Sequence, residues 1–198
     1  MNWQEEYRAK LMGAAEALTT VRSGDRVWIQ SGCGTPAVLV DALVARAPEL
    51  RDVEVVHLMT LGRADYTRPE YAGHIRHRRL FLGANVREAV AAGRIDYTPI
   101  FLSEIEGLFV SGGLPLDVVL MQVSPPDAHG FVSLGTTVEC TLTASRHAAA
   151  TLTTSTACGP PLQRPTVSST WPSDTTSTTT RAPARRICAL SRQWVRPS

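Results

Sequence analysis

The sequence predicts an α/β fold: a single open, mainly parallel sheet flanked by helices, followed by a disordered tail. Segments typical of strands alternate with segments typical of helices, and this order favours parallel strands joined by helical crossovers. Residues 116–124 (LDVVLMQVS) form an almost continuous apolar run, as in strands buried on both faces. Thr, Ser, Pro and Arg dominate the chain after residue 148. We therefore expect one domain over residues 1–148 and a low-complexity tail over 149–198.

The first elements follow from local patterns. Residues 3–20 are rich in helix formers and carry acids in the first turn, so they predict a helix. Residues 26–32 (RVWIQSG) alternate and then become small, which predicts a strand that ends in a loop. Thr35 is expected to cap a helix whose first position is Pro36. Residues 52–59 (DVEVVHLM) are β-branched and predict a second strand.

The next segments are shorter. Residues 78–83 (RRLFLG) predict a strand, and 85–93 (NVREAVAAG) a short helix capped by Asn85 and ended by Gly93. Residues 97–102 (YTPIFL) predict another short strand.

The last part of the domain continues this alternation. Residues 103–113 (SEIEGLFVSGG) predict a helix that ends in glycine, and the apolar strand at 116–124 follows it. The turn PPDAHG (125–130) and the strand FVSL (131–134) suggest a local antiparallel hairpin. Residues 137–149 (TVECTLTASRHAA) then begin a helix.

Charge and cysteine usage exclude several classes of protein. Residues 1–150 hold 14 Lys and Arg against 17 Asp and Glu, and residues 151–198 hold 6 Arg against one Asp, so −3 and +5 give the net +2. The excess of positive charge belongs to the tail, and nucleic acid is not an expected partner. The four cysteines have no CxxC spacing, so no metal site is expected. A charged N-terminus and the lack of a long apolar run predict a cytoplasmic protein without membrane contact.

The tail itself admits two interpretations. It has neither strand nor helix periodicity and few aliphatic residues, so it would not offset the entropy lost on ordering. It is either a linker-like segment or the product of a shifted reading frame. Lys10 is the only lysine beside 19 arginines, which suggests a GC-rich coding sequence, and such a sequence read out of frame tends to yield Arg, Pro, Ser, Thr and Ala. We favour the shifted frame as a hypothesis.

A small-residue loop, SGCGTP (31–36), lies between a predicted strand and a predicted helix. Glycine permits backbone N–H groups to approach an anion at a helix N-terminus. The loop lacks the GxGxxG spacing of dinucleotide sites and the GKS/T of nucleotide-binding P-loops. A tight turn between strand and helix explains it equally well.

Three further groups of polar residues favour structural roles. Ser124, Asp127 and His129 lie within six residues on a turn, without a nucleophile elbow, so they do not predict a hydrolytic triad. The basic run at residues 74–79 (HIRHRR) is typical of an exposed strand edge, although its arginines could bind a phosphate or carboxylate. Glu104 and Glu106 fit solvated helix charges better than catalytic acids.

Several stretches together resemble the N-terminal half of the acetyl-CoA hydrolase/transferase family, which includes acetate, succinate and 4-hydroxybutyrate CoA-transferases. They occur in the family's order and spacing between about residue 3 and residue 148, and the family has no counterpart of residues 149–198. The stretches are GDRVWIQSGCGTPAVLVDAL, VEVVHLMTLG, FLGANVREAV, GRIDYTPIFLSEI and LPLDVVLMQVSPPDAHGFVSLG.

The resemblance implies a function in short-chain carboxylate metabolism, as an acyl-CoA:carboxylate CoA-transferase of the acetate or 4-hydroxybutyrate type. Family members pass the acyl group through a glutamate, which becomes a glutamyl-CoA thioester. That glutamate, the oxyanion donors and most CoA contacts lie in the second half of the family fold, so no catalytic residue is carried over. The chain looks truncated and is expected to be inactive alone. The alternatives are an acetyl-CoA hydrolase or a non-catalytic half-domain that acts only with a partner subunit.

What carries over is one wall of the family's cleft. The substrates are an acyl-CoA and a short-chain carboxylate, with coenzyme A thioester as substrate and no bound cofactor. The implied partner is a homo-oligomer or a missing second-half domain. A sugar-phosphate isomerase on a similar fold would need a lysine near the sugar, and Lys10 in the N-terminal helix does not suit. The cleft residues implied by the resemblance are Gly32, Cys33, Gly34, Thr35, Pro36, Gly62 and Asn85.

Overall fold

The computed structural model describes residues 3–59, 64–83 and 86–155, together with the backbone of 166–169 and 181–183. Its centre is an open sheet with the strand order β4-β3-β2-β1-β5-β7-β8. The first six strands of that order are mutually parallel, and β8 is antiparallel to β7. A short antiparallel pair, β6 and β9, forms a second sheet. The expected single open, mainly parallel α/β sheet is confirmed.

The bounds of the elements are as follows. The strands are β1 (Arg26–Ile29), β2 (Val53–His57), β3 (Ile75–Arg79), β4 (Ile95–Tyr97), β5 (Val118–Val123), β6 (Phe131–Ser133), β7 (Ala150–Ser155), β8 (Thr166–Ser169) and β9 (Arg181–Pro183). The helices are α1 (Trp3–Ala9), α2 (Ala14–Ala17), α3 (Ala37–Arg46), α4 (Arg87–Ala91), α5 (Ile105–Val110) and α6 (Thr141–His147).

Helices cover both faces of the sheet and give two apolar cores. On one face, α2 and α3 pack against alternate residues of the strands, among them Val27 and Leu120. On the other face, α5 and α6 pack against Trp28 and its neighbours. The Trp28 ring meets Phe109 edge to face at 5.2 Å, and its indole N–H donates to Thr141 Oγ1 at 3.1 Å. This bond joins α6 to the centre of the sheet and satisfies a donor that would be costly to bury alone.

The N-terminal segment departs from the single helix expected over residues 3–20. It forms α1 and α2, separated at Gly13, which has an extended backbone and begins α2. Tyr7 of α1 packs on the Trp28 face of the sheet, whereas Met12 and Ala14 pack on the opposite face. The chain therefore passes from one face to the other between the two helices, and a continuous helix could not follow that path.

Two strand predictions also need correction. The strand expected at residues 78–83 lies earlier in the chain, since β3 covers Ile75–Arg79. The basic run that was expected to be an exposed strand edge is this strand, and it lies inside the sheet between β2 and β4. The strand expected at 97–102 is wrong, since β4 ends at Tyr97 and a 3-10 turn occupies Leu102–Glu104.

The sheet continues past the boundary expected at residue 148. Residues 150–155 (ATLTTS) form β7, whose partners in β5 run from Val118 opposite Ala150 to Val123 opposite Ser155. Thr151, Thr153 and Thr154 are buried there. Threonine is β-branched and suits a strand, although its polarity made the segment resemble the tail. The remainder of the expected disordered tail lies outside the described residues, except for the backbones of β8 and β9.

A cluster of buried polar rings lies at the carboxyl ends of β2 and β3. His57, His77 and Arg79 are at most 1% exposed, and the ring of Tyr66 meets that of His77 at 4.9 Å. His57 Nε2 donates to the carbonyl of Met59 at 3.0 Å. Within the described part of the chain, neither ring nitrogen of His77 has a hydrogen-bond partner.

Both histidines are held neutral in the folded state. Burial, followed by the charge of Arg79, lowers the pKa of His57 to about 3. Burial, Arg79 and then His57 lower the pKa of His77 well below its usual range. An imidazole that titrates near neutrality in the unfolded chain therefore remains unprotonated in the fold.

We expect this cluster to make the fold acid-sensitive. As the pH falls below about 6.5, the two histidines bind protons in the unfolded chain but stay neutral in the folded one. The free energy of unfolding therefore falls by about 1.4 kcal/mol per pH unit for each histidine. Urea unfolding between about pH 7 and about pH 5 measures this slope. His77→Asn should remove the contribution of one proton, and His129→Asn, on an exposed turn, should preserve the slope. Equal slopes for His77→Asn and the parent chain would contradict the expectation.

Candidate functional site

The candidate site lies where the strand order reverses at the centre of the sheet. From β1 the chain proceeds through β2, β3 and β4 on one side, and it then returns to β5 and β7 on the other. Loops that leave the carboxyl ends of two such neighbouring strands diverge and open a crevice, where open α/β sheets bind their ligands. Here the two loops are residues 30–36, after β1, and residues 124–130, after β5.

The side chain of Gln30 connects the segments that border the crevice. Its side chain is fully buried. The Oε1 atom accepts the backbone N–H of Gln122 at 2.7 Å, and Nε2 donates to the carbonyl of Thr137 at 2.7 Å. One amide thus joins β1, β5 and the segment that leads into α6. Gln30 was not among the predicted site residues; its signal in the sequence is a single amide at the end of an otherwise apolar strand.

Two glycines in the loop are required by local geometry. Gly32 has φ +57°, a left-handed conformation that favours glycine. A Cβ atom on Gly34 would lie 2.6 Å from Nε2 of Gln30. The loop can therefore fold over Gln30 only because residue 34 has no side chain.

The backbone of the loop forms a closed turn and does not present its N–H groups to an anion. The backbone N–H groups of Gly32, Gly34 and Thr35 donate to the carbonyls of Met59, Ser31 and Gly32 at 2.9, 3.1 and 3.3 Å. These donors, which an anion-binding loop would turn towards a ligand, are used within the protein, as in the alternative of a tight turn. The loop is thus closed by its own backbone hydrogen bonds, and it carries the exposed Cys33.

Thr35 and Pro36 do not begin the helix as expected. The Thr35 hydroxyl donates back to the carbonyl of Gly32 at 2.9 Å, so it stabilises the turn and makes no capping bond to α3. Pro36 is the N-cap residue, and α3 begins one residue later at Ala37. Gly62 and Asn85, the other two predicted cleft residues, lie outside the described residues.

Ser31 links the loops that follow β1 and β2. Its buried hydroxyl accepts the backbone N–H of Met59 at 3.4 Å. Partial burial of its carboxyl raises the pKa of Glu139, and an interaction with the Ser31 hydroxyl partly opposes the rise.

The hairpin after β5 is structural, as the sequence indicated. Asp127 Oδ1 accepts the N–H groups of His129 and Phe131, both at 2.9 Å. The hydroxyl of Ser124 donates to the carbonyl of Pro125 at 3.0 Å. Neither group is placed to activate the other, so no catalytic triad forms.

The basic run at residues 74–79 is occupied by intramolecular contacts. Arg76 pairs with Asp96, and Arg78 Nε donates to Glu54 at 2.5 Å. Glu104 accepts the backbone N–H of Phe101 at 3.3 Å, which supports a capping role. The described residues include no group of three or more His, Cys, Asp or Glu side chains that could hold a metal ion. None of the helices in this part of the chain combines the length and the apolar character needed to span a bilayer.

The close approach of Gly34 to the Gln30 amide can be tested by substitution. In Gly34→Ala the new Cβ would collide with the buried amide, so we expect the free energy of unfolding to fall by about 1–3 kcal/mol. Gly107→Ala is the matched control, because a Cβ there meets nothing within 4 Å and should stabilise α5 by about 0.4–1 kcal/mol. Urea unfolding of both variants measures the difference. A Gly34→Ala protein as stable as the parent would show that the amide is not confined.

The chain resembles known proteins over the described domain. The model of the acetyl-CoA hydrolase/transferase N-terminal domain matches residues 1–156. A 4-hydroxybutyrate coenzyme A transferase from Clostridium kluyveri is 39% identical over 148 residues, which are 75% of this chain and 34% of that protein. A succinyl-CoA:acetate/propanoyl-CoA:succinate CoA transferase from Fasciola hepatica is 41% identical over 135 residues, 67% of this chain and 28% of that protein.

A solved structure agrees with the sequence comparison. The crystal structure of RipA from Yersinia pestis superposes with a TM-score of 0.70 at 25% identity, and the match covers 76% of this chain and 37% of that chain. The chain spans about a third of the length of the curated relatives it matches. Over residues 1–156 it belongs to the acetyl-CoA hydrolase/transferase family and carries the N-terminal domain of that family.

Proposed function

We propose that this chain forms the N-terminal wall of an acyl-CoA:carboxylate CoA-transferase cleft, of the acetate or 4-hydroxybutyrate type. The observation that carries the proposal is the position of Gly32–Pro36: the loop lies at the switch point of a domain whose relatives are named as CoA transferases. The substrates would be a CoA thioester and a short-chain carboxylate of the cytoplasm. Coenzyme A would enter as substrate and not as a resident cofactor.

The family's chemistry defines what a complete cleft must contain. A glutamate carboxylate attacks the acyl-CoA thioester, the CoA thiolate leaves, and an acyl-glutamyl anhydride results. The thiolate then attacks the glutamyl carbonyl, which releases the acyl group as a carboxylate and leaves a glutamyl-CoA thioester. The acceptor carboxylate takes the place of the first one in the reverse sequence. If water attacks instead, the net reaction is that of an acetyl-CoA hydrolase.

The residues of this chain support binding more than bond cleavage. The loop over Gln30 would exclude water from one side of the cleft and hold the thioester's surroundings rigid. We assign no nucleophile in this chain, and Glu104 caps a 3-10 turn. The glutamate and the oxyanion donors would come from the second half of the family fold.

We expect the 198-residue chain alone to bind coenzyme A weakly and to catalyse no transfer. Incubation with acetyl-CoA and butyrate or 4-hydroxybutyrate, followed by chromatography of the CoA esters, should give no turnover above a blank. Full-length transferase related to the Clostridium kluyveri enzyme is the positive control. Transfer by the isolated chain, lost on substitution of one of its own carboxylates, would contradict the assignment.

A non-catalytic half-domain that works with a partner subunit is the second candidate. Large apolar side chains are exposed beyond the carboxyl ends of β3 and β4. Phe81 follows β3 and is 55% exposed, Tyr97 ends β4 and is 47% exposed, and Phe101 is 76% exposed. Apolar groups concentrated at one edge are typical of a surface that another domain covers.

We expect this edge to make the isolated chain self-associate. Multi-angle light scattering after size exclusion should show species larger than the monomer mass of 21.5 kDa. The double variant Phe81→Ser/Phe101→Ser should shift the population towards monomer, because both apolar contacts are removed. Val110→Ser, a substitution of an exposed residue on α5, is the matched control and should have a smaller effect. A monomeric parent chain would count against this candidate.

A further inference from the structure

The carbonyl of Met59 is a junction between the two loops that follow β1 and β2. It accepts the backbone N–H of Gly32 at 2.9 Å and lies 3.0 Å from Nε2 of His57. In the other direction, the backbone N–H of Met59 donates to the hydroxyl of Ser31 at 3.4 Å. The first residues of the loop at the crevice are therefore bonded to one residue of the neighbouring loop, and a buried imidazole is bonded to that same residue.

The surroundings of His57 fix which ring nitrogen carries its proton. A backbone carbonyl can only accept a hydrogen bond, so the Nε2 atom that faces Met59 must be the protonated one. Burial lowers the pKa of His57 to about 3, so the ring is neutral and its Nδ1 is left as an acceptor. The hydroxyl oxygen of Tyr66 lies 3.5 Å from that Nδ1. The imidazole is thus aligned between a phenol and the carbonyl of Met59.

The position of His57 in the sheet makes it a firm support. It is the last residue of β2, opposite Ile29 of β1 and Arg79 of β3, and it is fully buried. A donor that is fixed in the middle of the sheet cannot follow a loop that moves. The bond from Nε2 therefore restrains the carbonyl of Met59, as a buried supporting group restrains the residues of a site.

The loop after β1 needs such support at Gly32. Its φ is +57°, and glycine has access to many other backbone conformations. The bond from its N–H to Met59 favours this one. The exposed Cys33 follows directly, so the conformation at Gly32 sets the direction in which the rest of the loop leaves the sheet.

We propose that His57 is a positioning residue for the candidate site, whose Nε2–H holds the carbonyl of Met59 in the orientation that receives Gly32. His57 thereby fixes the loop at Gly32–Pro36. The inference rests on the proposed function, because that loop is taken as the wall of the acyl-CoA cleft. In this role His57 makes no bond to a substrate.

His77 supplies a matched control within the same cluster of buried rings. It is 1% exposed, and its ring centroid lies 6.3 Å from that of His57. Within the part of the chain that the structure describes, its ring nitrogens have no hydrogen-bond partner. His57→Leu and His77→Leu therefore both remove a buried imidazole, and only the first removes a bond to Met59.

Amide hydrogen exchange of the full 198-residue chain, followed by NMR, tests the proposal. The rate at Gly32 is divided by the rate at Val55, a buried residue in the middle of β2 that reports opening of the whole sheet. In His57→Leu this ratio should rise about tenfold. His57→Gln retains a side-chain N–H donor and should keep the ratio within about threefold of the parent value. His77→Leu should leave it unchanged.

The proposal is overturned if the ratio in His57→Leu equals that of the parent chain. It is also overturned if His57→Gln or His77→Leu raises the ratio as much as His57→Leu does. The first result would mean that the bond does not restrain the loop, and the second that loss of any buried ring, or of the imidazole whatever replaces it, is sufficient.

A measurement on the unsubstituted chain applies even where His57→Leu fails to fold. Long-range ¹H–¹⁵N correlation spectra identify the ring nitrogen of His57 that carries the proton, and we expect the neutral Nε2–H form. A neutral ring protonated at Nδ1 would overturn the proposal, because it has no proton to donate to Met59. No coenzyme A is present in these experiments, so a failure to bind coenzyme A would count against the proposed function and leave their results unaffected.

Discussion

The buried amide of Gln30 is the interaction on which the candidate site depends. It lies at the end of β1, where water cannot satisfy it, and it therefore has to find partners within the protein. The backbone of β5 and the segment before α6 supply them. The same amide leaves no space for a side chain at residue 34, so the requirement for glycine is a consequence of how a polar group is buried. The loop, the central strand pair and the approach to α6 are held as one unit.

The carboxyl edge of the sheet combines buried polar groups with exposed apolar ones. Within the interior, His57, His77 and Arg79 replace the aliphatic residues found elsewhere on the same sheet face. At the rim, Phe81 and Phe101 meet solvent. This arrangement inverts the usual pattern of an apolar interior and a polar surface.

The sequence predicted the sheet well where strands were apolar and less well elsewhere. The run at 116–124 became β5, and the SGCGTP loop lies where the strand pattern indicated. By contrast, β7 consists mostly of threonine, and composition alone could not distinguish it from the polar segment that follows. The break between α1 and α2 follows the path around the sheet, a tertiary constraint that the single Gly13 in a run of helix formers was too weak a signal to predict.

The position of the loop at the candidate site was predicted from the sequence, whereas the side-chain contacts that support the loop were not. Gly32 and Gly34 were identified because small residues between a strand and a helix are a local signal. Gln30 was not identified, since one of its partners, Gln122, lies 92 residues further along the chain. The role expected of Thr35 failed for a related reason: a hydroxyl near a helix start has several acceptors within reach, and only the three-dimensional turn selects one.

The ring of Trp3 lies against Gly130, where a Cβ atom would come within 2.9 Å of it. The first helix of the chain thus rests on a hairpin that is translated much later. On the ribosome the contact between Trp3 and Gly130 cannot form until Gly130 has emerged. Docking of the Trp3 end of α1 therefore belongs to the later part of the synthesis of this domain.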